Sequence, residues 1–360
     1  MGRNAQHFDW ITALVLLCLG CFGLFLLLTI GVDVFLQQLL FLVIGFTLIF
    51  ICSLIDSVVL WWFAPIAYIL GDLFLLSSYL GPHIRGATRW ITIGPAQLQP
   101  SELSKPLFLL GFSYFIAKYS PRKLSNLPIH IILFLIPFIL VFKQPDLGSS
   151  IVYACAWFAM LMAGGLPISV VIATFASIVL IMPGIWHVLL PYQRSRILTF
   201  LNPTVDPTGA GYNALQAMIA VGSGQFFGKG LGLGTQSHLR FLPEHHTDFM
   251  FATLVEELGF LGGFLLFSAY AILLVRIIIP FLRGIRQDAG VFIYSLGLFT
   301  MLLSQIFINA GMNMGLIPIT GITLPFVSYG GSSILSLTIA FGFLWAIQRG
   351  QTADPTIAIG

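Results

Sequence analysis

ITALVLLCLGCFGLFLLLTIG, residues 11–31, runs without a charge over a length that crosses a bilayer. A hydrocarbon core about 30 Å thick takes roughly 20 helical residues to span. Outward from it, similar apolar segments recur at about 34–52, 57–80, 104–118, 129–142, 147–164, 167–190, 248–279, 291–309 and 327–347, ten in all. The chain is 58% hydrophobic and 8% charged, where soluble domains carry roughly 25% charged residues. In lipid every backbone polar group must be satisfied within the chain, so these segments read as helices. The fold class is therefore all-α and polytopic, with about ten transmembrane helices in a single domain over residues 1–360. One long extracytoplasmic loop, about 191–247, joins helices 7 and 8. The first segment follows Arg3, lacks a small-residue cleavage site and is long for a signal-peptide core, so it reads as a retained helix.

A formal charge of +3 and the lack of a basic aromatic stripe argue against a nucleic-acid partner. Cys18, Cys21, Cys52 and Cys155 all fall in apolar segments. The C-x-x-C at Cys18 has no further ligands near it and reads as small apolar packing rather than a metal or redox site. If ten helices alternate, Arg3, Lys118, Arg122, Lys123, Arg276, Arg283, Arg286 and Arg349 share one side. The basic residues opposite sit in long loops or beside acids, where they count for little. Both termini are thus expected in the cytoplasm, with loops 81–103, 191–247 and 310–326 facing outward.

Charge avoided so strongly elsewhere is concentrated in Leu242-Pro243-Glu244-His245-His246-Thr247-Asp248-Phe249. The loop before it carries Tyr192, Phe200, Tyr212, Phe226, Phe227 and Phe241, so it is expected to pack on the bundle, re-entrant or in the interface. Its run Gly222-Ser223-Gly224-Gln225-Phe226-Phe227-Gly228-Lys229-Gly230 is not a phosphate loop: no Ser or Thr follows Lys229 and no βαβ unit surrounds it. Tight turns and close backbone packing explain it better. Two further outer segments carry charge. In Arg85-Gly86-Ala87-Thr88-Arg89-Trp90-Ile91, continuing to Gln99-Pro100-Ser101-Glu102-Leu103-Ser104-Lys105, Ser101 reads as an N-cap. Glu102 and Lys105 then fall at i and i+3 on one helix face. Gln144-Pro145-Asp146-Leu147-Gly148 reads as a turn carrying one acid. Interfacial solvation is the bland account of such charges and suits Lys143 and Arg85 as well as any other. It suits Glu102 and Asp146 less, because acids at bilayer depth are expensive and line cavities. Asp248 could simply complement a helix dipole, but Glu244, His245 and His246 stand within four residues of it. Glu256 and Glu257 are expected to pair within the bundle or border a polar cavity. Asp72 is an intramembrane acid with no partner nameable from sequence.

Together these segments resemble the SEDS family of cell-wall proteins (shape, elongation, division and sporulation), which includes RodA and FtsW. The resemblance rests on Gly86 to Trp90, Gln99 to Glu102 with Lys105, Gln144 to Gly148 and Gln216 to Gly224. It continues through Leu242 to Phe249 with Glu256 to Gly259, and Pro318 to Ser333. Gly211-Tyr212-Asn213, Gly234-Thr235-Gln236-Ser237 and the short N-terminus are more like the RodA elongation branch. Gln225 departs from the pattern, since the family often has a second glycine there.

The resemblance implies a peptidoglycan glycosyltransferase polymerising lipid II at the outer face of the bacterial inner membrane. Its implied partners are a class B penicillin-binding protein and other membrane proteins of the elongation complex. Asp248 matches the family's essential acid; Glu102, Lys105 and Asp146 match supporting positions, to which Arg89, Glu244, His246 and Thr247 are added. A sugar hydroxyl is a poor nucleophile, so a positioned carboxylate must take its proton as the bond forms, and Asp248 is the candidate general base. The pyrophosphate leaving group needs positive charge, from Lys105, Arg89 or a divalent cation (Mg or Mn) whose identity is open. The alternatives are a lipid II flippase, which would need polar lining across the whole bilayer, and a non-catalytic scaffold of the cell-wall complex.

Overall fold

Each apolar segment forms a helix in the computed structural model, which describes residues 9–81, 89–93, 96–189, 191–202, 209–239, 241–282 and 288–353. Arg3, Arg85, Gly86, Ala87, Thr88, Arg283 and Arg286 lie outside these residues. In chain order come α1 (Trp10–Ile30), α2 (Val32–Leu54), α3 (Ser57–Ser77) and the short hairpin β1 (Ile91–Ile93) and β2 (Ala96–Leu98). There follow α4 (Pro100–Leu103), α5 (Lys105–Lys118), α6 (Leu127–Lys143), α7 (Leu147–Ala163) and α8 (Ile168–Val188). The loop region contributes α9 (Pro191–Leu201), α10 (Ala210–Ser223) and α11 (Thr235–His238). The chain closes with α12 (Met250–Leu282), α13 (Ala289–Asn313) and α14 (Gly331–Ala353). Of these, α1, α2, α3, α6, α12, α13 and α14 are long and apolar enough to cross a membrane, and α7 and α8 are shorter apolar helices. The chain is an all-α polytopic membrane protein.

Helices in lipid gain little from burying apolar surface and associate through close packing, which favours small residues where backbones meet. Two close seams follow this rule. A Cβ on Gly342 of α14 would fall 2.5 Å from Cys52 Cβ of α2, and one on Gly111 of α5 would fall 2.6 Å from Tyr68 Cβ of α3. Arg276 near the end of α12 pairs with Asp9 at the start of α1 at 2.6 Å, and Arg349 of α14 donates to Leu54 O at the end of α2 at 2.9 Å. Those four helix ends therefore lie together. The hairpin, the start of α7, the 191–247 region and the segment between α13 and α14 fall at the opposite end of the bundle.

Among the described residues, the loop between α8 and α12 carries the three helices α9, α10 and α11, and its glycine run inserts into α12. That helix is unwound at Gly259 (φ 68°, ψ −165°). Its freed N–H groups at Phe260 and Leu261 donate to Gln225 O (2.8 Å) and Phe226 O (3.1 Å), while Lys229 N and Gly230 N donate to Glu256 O (2.9 Å) and Glu257 O (3.0 Å). Broken helices at membrane depth persist where the freed backbone groups are met by protein in this way. A Cβ on Gly228 would lie 2.1 Å from Glu257 O and one on Gly224 only 1.9 Å from Val255 O, so the glycine run exists for backbone approach, as its sequence suggested. Gln225 takes φ +48° within that insert, a left-handed conformation that glycine adopts freely.

One local expectation fails. Ser101 does not cap α4: Gln99 holds the cap position, and the Ser101 hydroxyl donates to Asp146 Oδ2 at 3.2 Å. The physical reason is that Pro100, with its fixed φ and missing N–H, takes the first helical position, which moves the cap back to Gln99 and leaves Ser101 within the turn.

Candidate active site

Three segments far apart in sequence close around Asp248. Residues 242–249 form a tight turn in which Glu244 takes φ +57°, with Thr247 N and Phe249 N donating to Glu244 O at 3.1 and 3.3 Å. The Thr247 hydroxyl bonds Glu244 at its carbonyl and at Oε2, both 3.2 Å, and so serves this turn. The segment before α14 clamps the turn from outside. Tyr329 N donates to His246 O (2.8 Å), Ser328 Oγ donates to Thr247 O (2.6 Å), and Ser328 Oγ accepts from Leu324 N (2.9 Å). The rings of His246 and Tyr329 stand 5.7 Å apart. Gly321, at φ +80°, runs so close that a Cβ there would sit 3.4 Å from Asp248 Oδ2. From within the bundle, Asn309 and Asn313 of α13 donate through Nδ2 to Asp248 O at 2.9 and 3.1 Å.

Asp146 stands at the head of α7. Its Oδ1 accepts from Ser149 N (3.1 Å), which caps the helix, and its Oδ2 accepts from Gln99 Nε2 (3.0 Å) and Ser101 Oγ (3.2 Å). Gln99 N donates in turn to Ser332 Oγ (2.9 Å), tying this corner to the start of α14. Arg89 donates through Nε to Gln144 O (2.8 Å) and through Nη2 to Pro145 O. The first turn of α7 presses on the Asp248 side, for a Cβ on Gly148 would fall 2.6 Å from Ile322 Cγ1.

The electrostatics follow from this enclosure. Burial pushes the Asp248 carboxyl up to about 6, and the negative charges of Glu244 and Asp146 add to the rise. Arg196 and Arg89 oppose it. Arg196 was not singled out from the sequence. It comes from α9, donates through Nη1 to Ile319 O at 3.1 Å and lines a small cavity with Met218, Met312 and Pro318. The other expected cation is placed differently: Lys105 is 1% exposed and bonds Glu102 Oε1 at 2.5 Å. The structure therefore brings Asp248, Glu244, His246, Thr247, Asp146 and Arg89 into one site, with Glu102 and Lys105 forming a buried pair behind Ser101. Glu102 Oε2 has no protein partner. Asp72, the intramembrane acid, lies beside the Tyr68 hydroxyl.

Glu256 and Glu257 pair within the bundle as expected, but away from this site. Glu256 accepts from Lys229 Nζ (2.8 Å), Thr235 Oγ1 (3.2 Å) and the backbone of Gln236 (3.0 Å); Glu257 meets His238 Nε2 at 2.8 Å and Gly232 N at 3.0 Å. The residues that sequence reasoning missed are Arg196, Asn309, Asn313 and Gln38, whose amide holds Ser328 O at 2.9 Å and Gly330 N at 3.2 Å. The signal for the three amides was present: buried polar side chains inside apolar helices bond across to neighbours.

The profile of the cell cycle protein family that groups FtsW, RodA and SpoVE matches residues 6–353. The chain belongs to this family. Among its curated relatives, the peptidoglycan glycosyltransferase MrdB of Escherichia coli K12 is 38% identical over 288 residues, 79% of this chain and 77% of MrdB. A probable peptidoglycan glycosyltransferase FtsW of Aromatoleum aromaticum is 36% identical over 306 residues, 80% of this chain and 72% of that protein. Among solved structures, the RodA of Thermus thermophilus superposes with a TM-score of 0.71 at 25% identity, over 95% of this chain and 97% of that one. A chain of a peptidoglycan synthase complex, solved for its structural coordination of polymerization and crosslinking, reaches 0.82 at 28% identity over 97% and 99%.

Proposed function

We propose that this chain, a peptidoglycan glycosyltransferase, polymerises lipid II during cell elongation by direct displacement, with Asp248 as general base. The observation that carries the role is a buried carboxyl raised to about 6, on a residue whose backbone carbonyl is held by the side chains of Asn309 and Asn313. A base is most effective when its pKa lies near the working pH. Asp248 takes the proton of an acceptor GlcNAc 4-hydroxyl as that oxygen attacks C1 of the donor MurNAc. The C1–O bond to the lipid pyrophosphate breaks, the electron pair leaves with the pyrophosphate, and the configuration inverts. A pyrophosphate departs without a second carboxylic acid, so the pair used by glycosidases is not needed. Positive charge for the departing oxygens comes from Arg196 and Arg89, the two cations that act on Asp248. Lys105, sealed against Glu102, sets the geometry of the α4–α5 junction instead.

The residues do not suit a protein-built metal cage. Among the described residues no three His, Cys, Asp or Glu side chains converge to hold an ion. The Asp146 oxygens already accept three hydrogen bonds.

The charge bias of the sequence supports an orientation with both termini cytoplasmic and Asp248 at the outer face of the inner membrane. The likeness to a chain of a synthase complex supports a class B penicillin-binding protein as partner. The test is polymer formation from purified lipid II by the full chain with that partner, wild type beside Asp248→Asn. Loss of a general base costs roughly 10²–10⁴ in rate, so Asp248→Asn is expected to leave at most about 1% of the polymer. Wild-type turnover from a folded, partner-bound Asp248→Asn protein would defeat the assignment. A rival flippase would move labelled lipid across vesicles without making polymer.

A further inference from the structure

Two asparagines of α13 sit against the first turn of α12. That helix starts at Met250, so Ala252 N–H is one of the first-turn donors that a helix cannot satisfy by itself. Here Ala252 N donates to Asn313 Oδ1 at 3.3 Å, while Asn313 Nδ2 donates to Asp248 O at 3.1 Å. The side-chain amide of Asn313 thus caps that donor and ties it to the preceding turn, accepting from one peptide and donating to the other. Asn309 completes the arrangement, its Nδ2 donating both to Asp248 O (2.9 Å) and to Ile322 O (2.7 Å). Asn313 Nδ2 also donates to the backbone carbonyl of Asn309 at 2.8 Å, one helical turn back, and reaches Asn309 Oδ1 at 3.5 Å. Both residues are 0% exposed.

The consequence lies in what Asn309 joins. Ile322 follows Gly321, whose backbone borders Asp248 Oδ2, and the same segment packs on Gly148 at the head of α7. One buried amide therefore fixes the distance between the backbone carrying the acid and the backbone that walls its carboxylate. We infer that Asn309 and Asn313 are positioning residues for the reaction, an amide staple that ties the Asp248 backbone to the first turn of α12 and to the Ile322 segment so that the carboxylate is held in the site. The inference rests on Asp248 being the base. A purely structural role would predict lost protein and nothing else. A positioning role predicts that the surviving enzyme has a base in altered surroundings.

The charged groups around that base are Glu244 on its own turn, Arg196 of α9, Asp146 at the head of α7 and Arg89 before β1. If the staple is cut, the carboxyl relaxes out of this enclosure and its pKa falls towards the usual aspartate range. The experiment measures initial rates of lipid II polymerisation by the full chain with its transpeptidase partner between pH 5 and 8.5. The variants are Asn309→Ala, Asn313→Ala and Asn313→Gln, which keeps an amide on a longer stem and covers the case where the alanines do not fold. Gln305→Leu is the control. Gln305 is buried on the same helix with neither amide atom partnered by protein.

The expected result is a fall in kcat of at least about tenfold for the alanines and less for Asn313→Gln, with KM within about twofold. The acid limb should move down by half a unit or more, while Gln305→Leu keeps wild-type rate and limb. Rates that fall only with the amount of folded protein, with the acid limb unmoved, would overturn the inference. So would a Gln305→Leu variant that behaves like the asparagine variants. If Asp248→Asn also polymerises normally, the base assignment has failed; if it is dead while the staple variants keep the wild-type limb, only the staple has.

Discussion

At the scale of single residues, the site is governed by how one carboxylate is kept from water. Asp248 rises to about 6 chiefly through burial, then through Glu244 and Asp146, against Arg196 and Arg89. A raised carboxyl is protonated, and useless as a base, below its own pKa. Polymerisation should therefore be flat above about pH 7 and fall roughly tenfold per unit below about 6. Glu244→Gln removes a negative neighbour and should move that limb to lower pH, which a pH–rate series on the two proteins would show. A limb that stays put or rises would mean that Glu244 does not act on the base. This residue was legible in the sequence because local composition announced it, with acids and histidines crowded into a chain that otherwise avoids them. Asn309 and Asn313 were not, because their partner lies 61 and 65 residues away. An amide inside an apolar helix shows that something is bonded without saying what. Arg196 was hidden differently: one arginine among several in a long loop carries no mark until α9 folds against Ile319.

At the scale of elements, α12 is two helices in register across a break. Glycines at 224, 228 and 259 and two acids at 256 and 257 stand out along it and the insert. The packing reason for the glycines was readable, whereas the interruption of an apolar stretch of 33 residues was not. Hydropathy measures partition into lipid and is blind to where hydrogen bonds leave the helix axis. The insert is locked by Glu256, 0% exposed, against Lys229, Thr235 and the backbone of residues 236 and 237. Removing one partner of a buried pair strands the other and its donors. Glu256→Ala should cost about 3 kcal/mol and expose the 229–238 segment to protease before the bundle unfolds. Thermal unfolding and limited proteolysis of the detergent-solubilised protein would report both. Unchanged melting and cleavage would show that the broken helix holds without its acid. Asp248 begins the same element, so looseness at the break should also lower activity, by less than the loss of the base itself.

At the scale of the whole molecule, the question is whether this bundle moves lipid or joins sugars, and the distribution of polar groups decides it. A transporter that alternates access needs a polar route from face to face. Here Asp248, Asp146, Arg89, Arg196 and the clamping Ser328 and Tyr329 all gather at one end. The opposite end holds ordinary helix-end pairs such as Asp9 with Arg276. Three interior acids are paired, Glu102 with Lys105, Glu256 with Lys229 and Glu257 with His238, and the fourth, Asp72, lies beside the Tyr68 hydroxyl. Glu257 is also held by the backbone of Gly232. Lining a polar route with any of these acids would mean separating it from its partner, which is most costly for the buried Glu102–Lys105 pair. A one-sided polymerase has a consequence that a flippase does not. In vesicles carrying lipid II in both leaflets and the protein in a single orientation, only the leaflet beside Asp248 is substrate. Conversion should stop near about half of the lipid II, the share in that leaflet, and resume when a separate flippase is added. Conversion running to completion without one would mean that the chain carries lipid across the bilayer itself, and that the paired acids of its interior open during the cycle.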